Sequence, residues 1–358
     1  MDKAAVDWSM GARNTKLIDW GTASRVGRRM AGGGPPLTAL DRTRLDQEFA
    51  DAVSEADALA ASVTQLPGAK APSRAWVMSR GQWIDANVGS MERVLEPLAA
   101  RILKLHPRPG NDWRTRALGG QVGFLFGYVS RKVLGQYDLF QPPDDEGLLY
   151  FVGPNVLATE RRFRFDRGGF RLWLALHEVT HRVQFASAPW LRTHVTGMID
   201  EYLATVELEP QRVMDNLRRA VSEMLEGGEW RSMGIIFALM TPEQRVMFDK
   251  MQATMSLLEG HASFVMNAGG RERIRDFDRM KRGLEERRKT RGLEKSFQRA
   301  IGFESKLRQY GTGERFVSEV VEKAGMEAFN AVWKEPANLP TLAEIADPGI
   351  WLARVAPG

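Results

Sequence analysis

The chain has 358 residues, 43% apolar and 27% charged, a balance that supports a sizeable buried core and excludes whole-chain disorder. It contains no cysteine, which rules out disulfides, a thiolate nucleophile and any Cys-based metal site. The net charge of +5 is local: residues 271–308 hold 14 Lys/Arg against 7 Asp/Glu, so the remainder of the chain is slightly acidic.

The first residues, MDKAAVDWSMGARNTKLIDW, lack a basic start followed by an apolar block, so a secretory signal is not expected. The longest apolar stretch, around Val122 to Val129, is ended by Arg131 and Lys132 and is too short to span a bilayer. A cytoplasmic protein without membrane contact is the expectation. Residues 1–36 read as a loosely ordered lead-in closing on Gly32-Gly33-Gly34-Pro35-Pro36, with Trp8, Trp20, Val26 and Met30 able to dock on the body. Residues 37–358 read as one domain.

From Asp41 to Val63 the pattern is helical, with Leu45, Phe49 and Val53 at spacing four and Asp41 as a capping candidate. A break at Pro67 to Ser73 precedes a second helix over about Arg80 to Leu105. The next helix, roughly Arg116 to Leu134, carries Gly119, Gly123 and Gly127 at spacing four. Glycine is a poor helix former, so three on one face predict close approach of a neighbouring helix. A phosphate-cradling loop is the rival, but the Lys-Ser/Thr ending of a P-loop is missing.

Leu148-Leu149-Tyr150-Phe151-Val152 is the best strand candidate, short, apolar and followed by Gly153-Pro154-Asn155. Helical patterns resume near Phe170 and fill most of the chain to Lys334. The tail from Pro336 to Gly358 is expected to pack through Ile345, Trp351 and Val355. No internal repeat is present. The fold class is therefore mainly α, with a small β element preceding the helix that carries the chemistry.

That helix runs through Arg171-Leu172-Trp173-Leu174-Ala175-Leu176-His177-Glu178-Val179-Thr180-His181-Arg182-Val183-Gln184-Phe185. His177 and His181 form an HExxH motif with Glu178. Residues i and i+4 are offset by about 40° around a helix, so both imidazoles leave one face and can share a Zn²⁺ at about 2.0–2.1 Å. Glu178 then becomes the general base for a water acidified by the metal. Two buried histidines with a chance glutamate are the bland alternative. Against it stands the cost of uncompensated polar groups inside an apolar helix. Arg182 is a departure, since this position is usually uncharged in zincins.

A catalytic zinc usually takes three protein ligands. Glu201 and Glu259 compete for the third place. Glu201 follows His181 by 20 residues, a thermolysin-like spacing, but it sits in a polar run. Glu259 stands isolated with His261 in the apolar segment Met255 to Met266 and is preferred, because a charge there needs a partner. On an ideal helix His261 points about 160° away from Glu259. It is expected either to support a ligand or to donate to a developing oxyanion, or else to be a hydrogen-bonded core residue. His194 and His106 have no ligand spacing and read as structural.

The segments FRLWLALHEVTHRVQF, APWLRTHV, MSLLEGHASFVM, KLRQYGTGERFV and LPTLAEIADPGIWLARV together resemble a family of zincin-like hydrolases of actinobacteria and green non-sulfur bacteria, associated with biosynthesis of a deazaflavin coenzyme. The resemblance covers about Trp113 to the C-terminus. It implies a zincin-like helical fold and a metal-dependent hydrolase, and it favours Glu259, which lies in the family's LEGH segment. Asn267 stands where an acidic residue is expected in relatives.

The basic stretch 271–308 has no interleaved aromatics and no nucleic-acid signature, and its acids, such as Glu285, Glu286 and Glu294, suggest a solvated helix. A nucleic-acid partner is not expected. The sequence thus predicts a zinc hydrolase of the peptidase type acting on a peptide or amide-type small substrate. A non-catalytic zincin-fold binding or assembly protein in cofactor metabolism is the alternative.

Overall fold

Strong helical periodicity over long stretches produces a predominantly helical protein. The computed structural model describes residues 16–32, 37–67, 71–105, 112–140, 148–205, 240–288 and 303–356. The helices are α1 (Trp20–Ala31), α2 (Ala39–Thr64), α3 (Arg80–Leu105), α4 (Asp112–Ser130), α5 (Gly153–Phe163), α6 (Arg167–Ser187), α7 (Pro189–Ala204), α8 (Pro242–Gly270), α9 (Phe277–Arg288), α10 (Phe303–Phe329), α11 (Leu342–Ala346) and α12 (Pro348–Val355). The strands are β1 (Arg74–Met78), β2 (Gly135–Tyr137) and β3 (Leu148–Val152), in sheet order β1-β3-β2. Trp8, His106 and residues 289–302 of the basic stretch lie outside the described residues. No helix among the described residues is long and apolar enough to cross a membrane.

Two compact units divide the chain, Met1–Gly34 with Met78–Val133, and Pro35–Val77 with Leu134–Gly358. In the first unit, the stretch read as a lead-in contains α1. Its N-cap Asp19 accepts the Thr22 backbone N–H at 2.8 Å, and Ala23, Gly27 and Ala31 form its buried face. That face meets the glycine stripe of α4. A Cβ on Gly123 would lie 3.0 Å from Ala23 Cα, and one on Gly127 would lie 2.6 Å from Met30 Cβ. The stripe therefore serves helix packing, as its spacing predicted. The helix ends at Ser130, four residues short of the expected Leu134, because the Leu134 carbonyl accepts from Val152 N–H at 2.9 Å and belongs to the sheet.

In the second unit, α2 begins at Ala39, and its cap is Thr38 rather than Asp41. Thr38 Oγ1 accepts from Asp41 N–H at 3.0 Å, and Asp41 returns the contact as the partner in a capping box. β3 forms as predicted. Leu149 and Phe151 are fully buried, and Phe151 stacks on Phe49 of α2 with ring centroids 4.0 Å apart. β1 and β2 were not evident from the sequence. β2 is three residues long, too short for alternation to register, and exists by antiparallel pairing with β3 (Gly135↔Phe151, Tyr137↔Leu149). Helix α5, also unanticipated, starts at Gly153 with Pro154 in its first turn and stops where Arg164 turns left-handed at φ 51°.

Helix α6 is the apolar axis of this unit. Asp166 caps it through the Gly169 N–H at 2.8 Å. Phe170, Ala175, Leu176 and Val179 are fully buried. Its two buried arginines are both partnered. Arg171 faces Glu48 at 2.8 Å and Glu160 at 3.1 Å. Arg182, whose charge is unusual at this position in zincins, donates to the Ala71 carbonyl and to Ser73 Oγ at 2.8 Å, with Asp57 3.8 Å away. Its guanidinium is thus held by the segment after α2.

Candidate metal centre

One helical turn separates His177 from His181, so their rings meet edge-on with centroids 4.6 Å apart and their Nε2 atoms 3.2 Å apart. Helix α8 supplies Glu259 across from them. Its Oε2 lies 3.5 Å from His177 Nε2 and its Oε1 3.8 Å from His181 Nε2. A tetrahedral zinc with bonds of about 2.0–2.1 Å holds its ligand atoms roughly 3.3 Å apart. The three side chains therefore enclose a space that fits such an ion. Among the described residues they are the group of His, Asp and Glu side chains arranged to hold a metal. All three are partly buried, which strengthens a metal's claim on them over water's.

Helix α8 is pinned beside Glu259 by a close helix contact. A Cβ on Gly260 would fall 2.6 Å from Gly313 Cα of α10. Only glycine at both positions lets the backbones approach and sets Glu259 at this depth. Glu201, the rival for the third place, is exposed near the end of α7 and is not part of the group.

The outward nitrogens of both histidines are engaged. His177 Nδ1 lies 3.2 Å from Met266 Sδ, and His181 Nδ1 lies 2.9 Å from Gln184 Oε1. Gln184 in turn donates from Nε2 to the Leu258 carbonyl at 2.9 Å and stands 3.0 Å from His261 Nδ1. His261 is fully buried against the rings of Phe329 and Trp333, at 5.1 and 5.3 Å. Burial, with the charge of His181 as a lesser cause, pushes its pKa down to about 3. Of the roles weighed for His261, this placement fits a residue supporting a ligand or a hydrogen-bonded core residue. An oxyanion donor must reach substrate, and this ring is walled in by Gln184, Phe329 and Trp333.

Glu178 lies against the edge strand β2, near enough to His181 and Glu259 to feel their charges. Its Oε2 accepts the Tyr137 backbone N–H at 2.8 Å. The carboxylate lies over Gly135, where a Cβ would be 2.7 Å from Glu178 Oε1. Burial raises its pKa to about 7. His181 and the Tyr137 N–H pull it down, and Glu259 pushes it up. A carboxyl group poised near neutrality is suited to accept and release a proton.

Asn267, at the position expected to be acidic in relatives, pairs with Glu314 and accepts from Lys281 Nζ at 3.2 Å. His194 lies away from the triad and lines a cavity of about 550 Å³ with Lys250, Asp249 and residues of the 336–343 segment. Gly135, Tyr137, Gln184 and Met266 were not singled out from the sequence. Gln184 carried the one available signal, a polar residue inside the apolar run of α6 three places after His181.

The sequence matches the model of a family described as zincin-like metallopeptidase over residues 18–352. It is also 31% identical to a crystal structure described as "a putative hydrolase with a novel fold from Chloroflexus aurantiacus", covering 94% of this chain and 98% of that one with a TM-score of 0.72. No curated protein matches significantly.

Proposed function

This chain belongs to the zincin-like metallopeptidase family, whose match, with that of the hydrolase structure, supports a metal-dependent hydrolase, and we propose that it is a zinc hydrolase cleaving a peptide or amide-type small substrate. The observation that carries the reading is the convergence of His177, His181 and Glu259 from two helices, with Glu178 next to the first of them. Two imidazoles and a carboxylate without thiolate are a donor set known from catalytic zinc sites. His177, His181 and Glu259 would hold the zinc, which would supply Lewis-acid polarisation and acidify an attacking water.

The remaining work belongs to the chain's own residues. His177 and His181 turn their Nε2 lone pairs inward because their Nδ1 atoms are engaged by Met266 and Gln184. Glu259 offsets charge and closes the third side. Glu178 is held at Oε2 by the Tyr137 N–H, which leaves Oε1 to take a proton from the attacking water. The same proton is then available for the leaving nitrogen as the C–N bond breaks. The association with a deazaflavin coenzyme implied by the sequence resemblance has no counterpart in the family or structure matches.

The test is metal analysis of the purified protein together with a fluorogenic peptide-library assay of wild type and Glu178→Gln. Zinc in both proteins and hydrolysis by wild type alone is the expected result. Absence of metal from wild type would end the reading. Metal without turnover on any peptide or amide would turn it towards a non-catalytic binding protein.

A further inference from the structure

We infer that Gln184 is the positioning residue of this metal centre, fixing His181 in its metal-binding tautomer and tying the helix of the two histidines to the helix of Glu259; the inference rests on the metal reading of the site. The argument is one of donors and acceptors. The Leu258 carbonyl can only accept, so the group 2.9 Å from it must be the amide nitrogen of Gln184. The alternative amide orientation would set two oxygens against each other, so the network itself decides the orientation. The Gln184 oxygen must then face His181 Nδ1, 2.9 Å away. That oxygen can only accept, so Nδ1 carries the ring proton and Nε2 is left as a lone pair directed at His177 and Glu259.

The second amide hydrogen of Gln184 meets His261 Nδ1 at 3.0 Å. His261 thereby holds the amide from the far side. This accounts for a fully buried histidine two residues after Glu259 that does not itself reach the ligand group. Leu258 immediately precedes Glu259 in α8, so the contact to its carbonyl also sets how closely α8 approaches α6. Gln184 is itself fully buried. A buried amide with its oxygen and both hydrogens used is rigid, and loss of any one contact leaves a costly unpaired group.

The experiment is zinc affinity of the full-length protein by chelator competition. Gln184→Leu should bind zinc about 10- to 100-fold more weakly, the range for losing a group that orients a metal-binding histidine. Gln184→Glu, held as the neutral acid by burial against the Leu258 carbonyl, keeps an acceptor for His181 Nδ1 and an O–H for that carbonyl, and should recover at least about tenfold of that loss. Equal losses in the two variants would reduce Gln184 to packing and overturn the inference. So would an affinity of Gln184→Leu within about twofold of wild type, since orienting groups cost more than that. Should Gln184→Leu fail to fold, nitrogen-15 NMR of the histidine rings in metal-free wild type decides the point. His181 is expected with its proton on Nδ1 at a pH where the ring is neutral, and a proton on Nε2 overturns the inference. Failure of wild type to bind zinc would instead sink the metal reading, and the tautomer of His181 would still judge the Gln184 contact.

Discussion

Glu259 Oε2 stands 3.5 Å from His177 Nε2 although the two residues lie on different helices and far apart in sequence. Without a cation between them and His181, two partly buried imidazoles and a carboxylate would share a space from which water is largely removed. The arrangement is suited to an ion more than to any side chain.

Elemental analysis follows directly. Wild type should carry one zinc per chain. His177→Ala and His181→Ala should lose it, and Glu259→Gln should weaken binding more than Glu201→Gln, because Glu201 is exposed and outside the group. Equal zinc retention in the Glu259 and Glu201 variants would remove Glu259 from the site.

The histidine pair could be read directly from the sequence because i,i+4 spacing is a property of a single helix. Glu259 could be chosen only by argument, since its place depends on how α8 packs against α6 and α10, through contacts between residues far apart in the chain. Gly135 and Tyr137 were invisible for a different reason. A three-residue strand has no periodicity of its own and exists through pairing with β3. The buried His261 was ambiguous because a helical wheel gives its direction relative to Glu259 and not its surroundings. The glycine stripe of α4 was legible as a packing face, yet its partner α1 was not, because Gly21, Gly27 and several polar residues weaken the helical pattern there.

Gly135→Ala tests the support of Glu178 by β2. The backbone at Gly135 has no positive φ, so alanine is compatible with the local chain. The added methyl would stand 2.7 Å from Glu178 Oε1 and must push the carboxylate aside. Zinc content should hold while turnover falls, by as much as about 100-fold for a displacement near 1 Å. Steady-state kinetics on any substrate found by the library assay makes the measurement. Unchanged turnover would show that the carboxylate does not depend on its seat over Gly135.

Gly123→Leu tests the α1–α4 contact. With Ala23 Cα only 3.0 Å from the position of a Cβ, the longer side chain has no room. Overpacking of this kind costs about 1–3 kcal/mol. A lower melting temperature with unchanged zinc content is expected. If the melting temperature does not move, α1 is not held on this face, and a ligand role for the stripe returns.

The pH dependence of stability isolates Glu178. Its folded-state pKa is raised to about 7 by burial, above the ordinary value of 4.5. The folded protein therefore holds this proton more tightly than the unfolded chain. Stability from the protonated form is fully present below pH 4.5 and is lost as pH rises through 7. Each tenfold difference in proton affinity between the two states is worth about 1.4 kcal/mol, so the loss is on the order of 3 kcal/mol in metal-free protein. Glu178→Gln keeps a carbonyl oxygen for the Tyr137 N–H and has no proton to lose, so its stability curve should lack this component. Urea unfolding of both metal-free proteins at about pH 5 and pH 8, on either side of the folded-state value, reads the difference. Glu178→Gln should gain on wild type at the higher pH by a few kcal/mol relative to the lower. Such a gain identifies the carboxylate as a group kept at a stability cost, which is what a buried general base requires. Parallel curves for the two proteins would mean that Glu178 is solvated in solution and that its proton is not held by the site.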